Sequence, residues 1–226
     1  MISPYLGIIF TIIGYLLGLW LFKRFRLPIL NPMFVGIITC IILMKITGIT
    51  YEEYRTGASY ITFFIAPATV SLMVPLYRNL DILKRNFIPI LTGILVGSIT
   101  AIVSVIVLSN LFQIGNELKI SLSAQSITTA IALPLTELMG GVGAITSIAI
   151  STRGILGAVL GPVILDLFKI KNPVAKGVAM GTTSHATGTA KAIEMGEVEG
   201  AISGLSIAIA GIITAIILPI IIKIVI

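Results

Sequence analysis

GTTSHATGTAKA (181–192) is the stretch on which the reading of the fold turns. It gathers four threonines, a serine, two glycines and the chain's single histidine, and the sequence on either side of it is oily. Backbone exposed by such small, polar residues has no place against lipid, where an unpaired N–H or C=O costs several kcal/mol. The stretch therefore predicts an interruption in a buried helix, and the rest of the chain has to supply the membrane around it.

It does so. Of the 226 residues, 57% are hydrophobic and 11% are charged, against about a quarter charged in soluble domains. Apolar runs recur at 5–22, 29–46, 58–77, 87–112, 120–139, 142–168, 173–193 and 198–225, most of them near the roughly 20 residues that one transmembrane helix needs. The alternating dyads of a membrane β-barrel are not seen. The expectation is an all-α polytopic membrane protein, one membrane domain over residues 1–226, with about 7–8 hydrophobic segments.

A formal charge of +6 raises the question of nucleic acid, but the basic residues cluster at the ends of apolar runs. That is how loops on the cytoplasmic side of a membrane read, not a phosphate-tracking stripe. Lys23, Arg24 and Arg26 mark one inner loop, Arg78, Lys84 and Arg85 a second, and Lys169, Lys171 and Lys176 a third, with Lys223 pointing to an inner C-terminus. The first span has its basic residues after it, which predicts an outer N-terminus. These loops cannot all be inside if every segment crosses once. One segment of the second half is predicted to return to the side it entered from, and counting does not say which. The lone Cys40 excludes a disulfide or cysteine metal site within one chain.

Three segments carry interruptions. Pro67 and Pro75 break the third, since proline lacks an N–H and clashes with the preceding turn. The fifth reads SLSAQSITTAIALP (121–134) and ends in Gly140, Gly141 and Gly143; the seventh is the opening stretch. PATVSLMVPL (67–76) also lies over SITTAIALPL (126–135), placing Thr69 on Thr128 and Pro75 on Pro134. Paired, interrupted segments of this kind point to a transporter's binding site and to an inverted repeat. The N-terminus of a half-helix presents free N–H groups and about half a positive charge, which suits a small carboxylate. Pro67, Thr69, Gln125, Ser126, Thr128, Thr129, Ser184, His185, Thr189 and Lys191 are the candidate substrate-binding residues. The competing reading is that small and hydroxyl residues only let helices pack closely, which also covers the pairs Gly14/Gly18, Gly93/Gly97, Gly157/Gly161, Gly177/Gly181 and Gly196/Gly200. His185 is either a structural, hydrogen-bonded histidine or a group that meets an anion. Glu137 and Arg153 are intramembrane charges, functional by default unless they pair with each other. No set of metal ligands and no nucleophile–base pair stands out, so neither a metal, a cofactor nor an enzyme is expected.

GTTSHATGTAKA, PATVSLMVPLY, SLSAQSITTAIALPL with its following GG, and GILGAVLGP together resemble the LrgB/CidB family of bacterial inner-membrane proteins; LNPMFVGI and GITYEEY fit as well. The resemblance implies a multi-pass protein of the cytoplasmic membrane with an LrgA/CidA-like membrane partner. It carries a holin/antiholin-like label tied to murein hydrolase activity and lysis. Plastid relatives exchange glycolate for glycerate, and bacterial relatives are tied to pyruvate uptake. Ala124-Gln125-Ser126 departs from the Pro-Lys-Ser of many relatives, and Arg153 stands where they are neutral, so Arg153 is a candidate for the missing positive charge. The expected function is secondary transport of a small monocarboxylate of the glycolate, glycerate, pyruvate or lactate class by a homo-oligomer. The alternative is a holin/antiholin-like component without a defined substrate.

Overall fold

A computed structural model describes residues 5–25, 30–64, 67, 70 and 73–225. Its regular structure, among the described residues, is entirely helical. The chain divides between residues 71 and 72 into two compact units.

The first unit holds α1 (Leu6–Phe25), α2 (Pro32–Thr47) and α3 (Tyr51–Phe63). Glycines set its packing: Gly14 of α1 lies on Gly36 of α2, Gly18 on Pro32, and Gly7 on the backbone of Tyr54 in α3. Asn31 caps α2 by accepting from the Met33 N–H at 2.9 Å, with Pro32 at the first helical position, where its missing N–H costs nothing. Thr50 and Glu53 close a reciprocal capping box at the start of α3. Phe10, Cys40 and Ile49 form the small core.

The second unit comprises α4 (Met73–Arg78), α5 (Leu80–Arg85), α6 (Phe87–Leu111), α7 (Asn116–Ser123), α8 (Thr129–Leu138), α9 (Gly143–Leu167), α10 (Pro173–Met195) and α11 (Glu197–Val225). Its α6, α9 and α11, with α1 of the first unit, are long and apolar enough to cross a bilayer. Between these spans lie two segments that do not cross.

The first is α7 with α8. Helices of 8 and 10 residues are about 12 and 15 Å long, half of a roughly 30 Å hydrocarbon core. The last turn of α7 is tied to the start of α9. The Val142 N–H donates to Ser121 Oγ at 2.7 Å, and the Thr146 hydroxyl donates to the Ser121 carbonyl at 2.8 Å. The segment is a re-entrant hairpin whose tip lies near residues 124–128.

The second is α10. His185 has φ 48° and ψ −133°, so two helical arms, 173–184 and 186–195, meet there. Met180 and Met195 would be about 22 Å apart in a continuous helix, yet they share one cluster with Leu165 and Ala192. Gly188 is packed against the Met180 carbonyl. The chain reverses at His185, making a second hairpin.

The two hairpins enter from opposite ends. The first packs with Ile102 and Ile106 of α6 and with Leu218 and Ile222 of α11. The open end of the second packs with Ile90 and Ile94 of α6 and Ile202 of α11. This resolves the parity conflict: α6 crosses, the first hairpin returns, α9 crosses back, the second hairpin returns and α11 crosses again. Lys84 and Arg85 therefore share an end with Lys169, Lys171 and Lys176. The expectation for Lys223 is corrected, because the doubling-back of α10 removes one crossing and puts Lys223 at the opposite end. In the sequence pairing of 67–76 with 126–135, residues 68, 69, 71 and 72 lie outside those described.

The Gly-x-x-x-Gly pairs other than Gly196/Gly200, whose Gly196 meets only the Glu199 side chain, are helix contacts. Gly177 and Gly181 face Glu199, Ile202, Ser203 and Ser206 of α11, Gly157 and Gly161 face Ser184 and Met180, and Gly93 and Gly97 face Val178 and Thr182. Each removes a side chain where two helices approach.

Candidate functional site

The hairpin tips meet between the two ends of the second unit. At the first tip α7 ends at Ser123, and residues 124–127 turn the chain into α8, whose N-cap Thr128 makes no capping hydrogen bond with its side chain. Ala124 and Ile127 are fully buried and anchor the turn in the core. That anchoring leaves Ser126 buried with its hydroxyl unpartnered. At the second tip His185 is 5% exposed, and the Ser126 backbone is the hydrogen-bonding group within reach of its ring. The imidazole lies beside the Ser126 backbone and close enough to Arg153 to feel its charge. Buried polar atoms in native proteins nearly always find partners. The Ser126 hydroxyl is without one, and it sits on the residue whose backbone faces the His185 ring.

Both kinds of helix end gather here: α7 and the arm 173–184 stop at the tips with their last carbonyls free of intrahelical partners. The N-terminal ends of α8 and of the arm 186–195 both lie at the tips, and each presents N–H groups that its own helix cannot use. Arg153 lies well inside the 25-residue α9, next to Gly154, which packs on Thr187 and the Ser184 carbonyl at the second tip. Among the described residues the sole salt bridge is Lys191 with Glu194 at 2.8 Å, so Arg153 has no acidic partner.

A cavity of about 730 Å³ opens beside the tips, walled by α9 and the first arm of α10 and reaching the first tip. Gln125, Arg153 and Ser184, all expected from the sequence, line it together with Thr152 and Thr183. The remaining lining is aliphatic apart from Met180 and two glycines.

Other candidates lie elsewhere. Thr129 is exposed on α8. Thr189 shares a 2.7 Å hydrogen bond with Ser203 of α11 and pins the second arm. Lys191 is paired with Glu194 on an exposed face. Glu137 is exposed and lies against Gly143 at the start of α9, ten residues and about 15 Å of helix before Arg153; the two charges do not pair. Pro67 is exposed, and Thr69 lies outside the described residues. Among the described residues no three His, Cys, Asp or Glu side chains are grouped to hold a metal ion.

Sequence reading passed over Thr182 and Ser98, both buried without a partner. Thr182 stood inside the opening stretch, and its methyl group packs on Gly97 of α6. Ser98 follows that glycine, and a single serine in an apolar run carries no signal of its own.

A family model described as the LrgB-like family matches residues 11–224. Proteins named antiholin-like protein LrgB from Bacillus mycoides (strain KBAB4), Bacillus cereus (strain B4264) and Bacillus anthracis (strain CDC 684 / NRRL 3495) are each 41% identical over 202 residues, covering 89% of this chain and 88% of theirs. No solved structure matches it.

Proposed function

This chain belongs to the LrgB-like family, and from that premise we propose that it acts as an antiholin-like membrane component that modulates murein hydrolase activity and lysis. The observation that carries this reading is the 41% identity to antiholin-like proteins, sustained over 89% of the chain. A shorter LrgA/CidA-like membrane protein is the partner proposed for it, and self-association in the membrane belongs to the same reading. The test is expression in a bacterium lacking its own LrgB-type protein, with autolysis and murein hydrolase activity measured. Autolysis is expected to slow severalfold. Unchanged autolysis, with the protein demonstrably in the membrane, overturns the proposal.

A second reading, at the level of the molecule, is favoured by the opposed hairpins. Transporters place substrates near the midplane between interrupted helices, with half-helix N-termini toward an anionic group. Here two such N-termini, an unpaired Arg153, the unmet Ser126 hydroxyl and the His185 ring converge. The activity proposed is secondary transport of a small monocarboxylate, the chemistry through which the cellular role is exerted. Proteoliposomes of the pure protein should take up labelled pyruvate, glycolate or lactate saturably. Leakage of large dyes without saturable uptake of any of these acids would sink this reading and leave the antiholin-like one standing.

A further inference from the structure

Arg153 and the cavity around it ask for more than a two- or three-carbon acid. An arginine deep in a membrane span is costly unless something answers its charge, and among the described residues nothing does. No aspartate or glutamate lines the cavity. The volume of about 730 Å³ lies within the roughly 300–1,000 Å³ range of small-molecule sites, and the groove is open along the side where Ile148, Leu156, Leu160 and Ile164 are exposed. Pyruvate or glycolate would use the polar edge at Gln125, Arg153 and Ser184 and leave most of the aliphatic wall uncovered.

We propose that the cavity binds a monocarboxylate with an aliphatic tail, the carboxylate on the Arg153 guanidinium and the tail along Leu122, Ile148, Leu160 and Met180. The site rests on the carboxylate reading of the hairpin tips and names a longer-chain substrate class for it. A guanidinium presents a planar fork that matches a carboxylate with two parallel hydrogen bonds. Gln125 and Ser184 stand at the same edge to take a 2-oxo or 2-hydroxy oxygen. His185, beside the Ser126 backbone and near Arg153, backs this edge.

The experiment is equilibrium binding to the pure protein in nanodiscs, using pyruvate, 2-oxobutanoate, 2-oxopentanoate and 2-oxohexanoate. Each added methylene leaving water should tighten binding roughly fourfold. Arg153→Gln should lose about tenfold or more across the series, and Arg153→Lys should recover part of that loss. The methyl ester of 2-oxohexanoate, which has the tail without the charge, should bind the wild type and Arg153→Gln alike. Ala149→Trp, which fills the wall, should flatten the dependence on chain length. Should that variant fold poorly, the wild-type series decides the point. Equal affinity for all four acids, or affinity indifferent to Arg153→Gln, overturns the proposal. Chain-length-dependent binding with no uptake of any acid into proteoliposomes leaves the site standing and removes the transport reading. Saturable pyruvate uptake undiminished in Arg153→Gln does the reverse.

Discussion

His185 occupies a backbone conformation that side chains rarely adopt: φ is 48°, and such positions cost about 1–3 kcal/mol for residues other than glycine. A structural turn alone would be served better by glycine, so the imidazole is retained against a backbone cost. Accordingly, His185→Gly should unfold with about 1 kcal/mol more stability than His185→Ala, measured by denaturant titration in detergent. Equal stabilities would show that the backbone there is unstrained. Gly188 is the complementary case. A Cβ at this position would meet the Met180 carbonyl and Ser184, so Gly188→Ala should cost about 1–3 kcal/mol in the same assay.

Among the elements, each hairpin is held by polar contacts as well as by its apolar face. The second arm of α10 is tied to α11 through Thr189 and Ser203, both buried. Hydrogen bonds between membrane helices couple by about 0.6 kcal/mol on average, because the separated helices find other partners. A double-mutant cycle of Thr189→Ala and Ser203→Ala should return a coupling near that size. A value near zero would mean that the contact only fills space. The start of α3 shows a different device. The Thr50 backbone N–H and then its hydroxyl hold the exposed Glu53 carboxyl below the usual glutamate range. A depressed value in the folded state means stabilisation that is present above the ordinary glutamate value and lost as pH falls through the lowered one. Amide exchange in the first turn of α3, corrected for intrinsic rate, should therefore accelerate as pH drops through that window. A Glu53→Gln variant, which removes the titrating carboxylate, should not show the inflection.

For the whole molecule, the alternation of spans and hairpins dictates which loops share a side of the membrane. In a Cys40→Ser background, single cysteines at Asn116, Leu138 and Lys223 should react with an impermeant reagent from one side. Cysteines at Lys171 and Glu194 should react from the other. Labelling of Asn116 and Leu138 from opposite sides would turn the first hairpin into a crossing and dismantle the site. The same arrangement brings two chain reversals to one level, where their free helix ends and Arg153 act on the same small volume. The cavity lining there holds one cation, Arg153, and no acid.

Much of this was legible in the residues. Hydropathy alone places the chain in a membrane, because long apolar runs with 11% charged residues have no soluble solution. Breaks within 125–134 and 181–191 also read locally, from hydroxyls and glycines that lipid would not tolerate, although Pro134 lies inside α8 and the turn precedes it. What the sequence could not contain was the direction the chain takes after each break. A broken helix continues or turns back according to contacts made far along the chain: Ser121 with Val142 and Thr146, Met180 with Met195, Gly177 and Gly181 with α11. Those contacts decided that Lys223 lies opposite Lys171. They also set Arg153, from a different span, beside both tips. The sequence by itself determined where the helices stop; only the tertiary structure decided where the stopped ends point, because local chemistry ends a helix and long-range packing aims it.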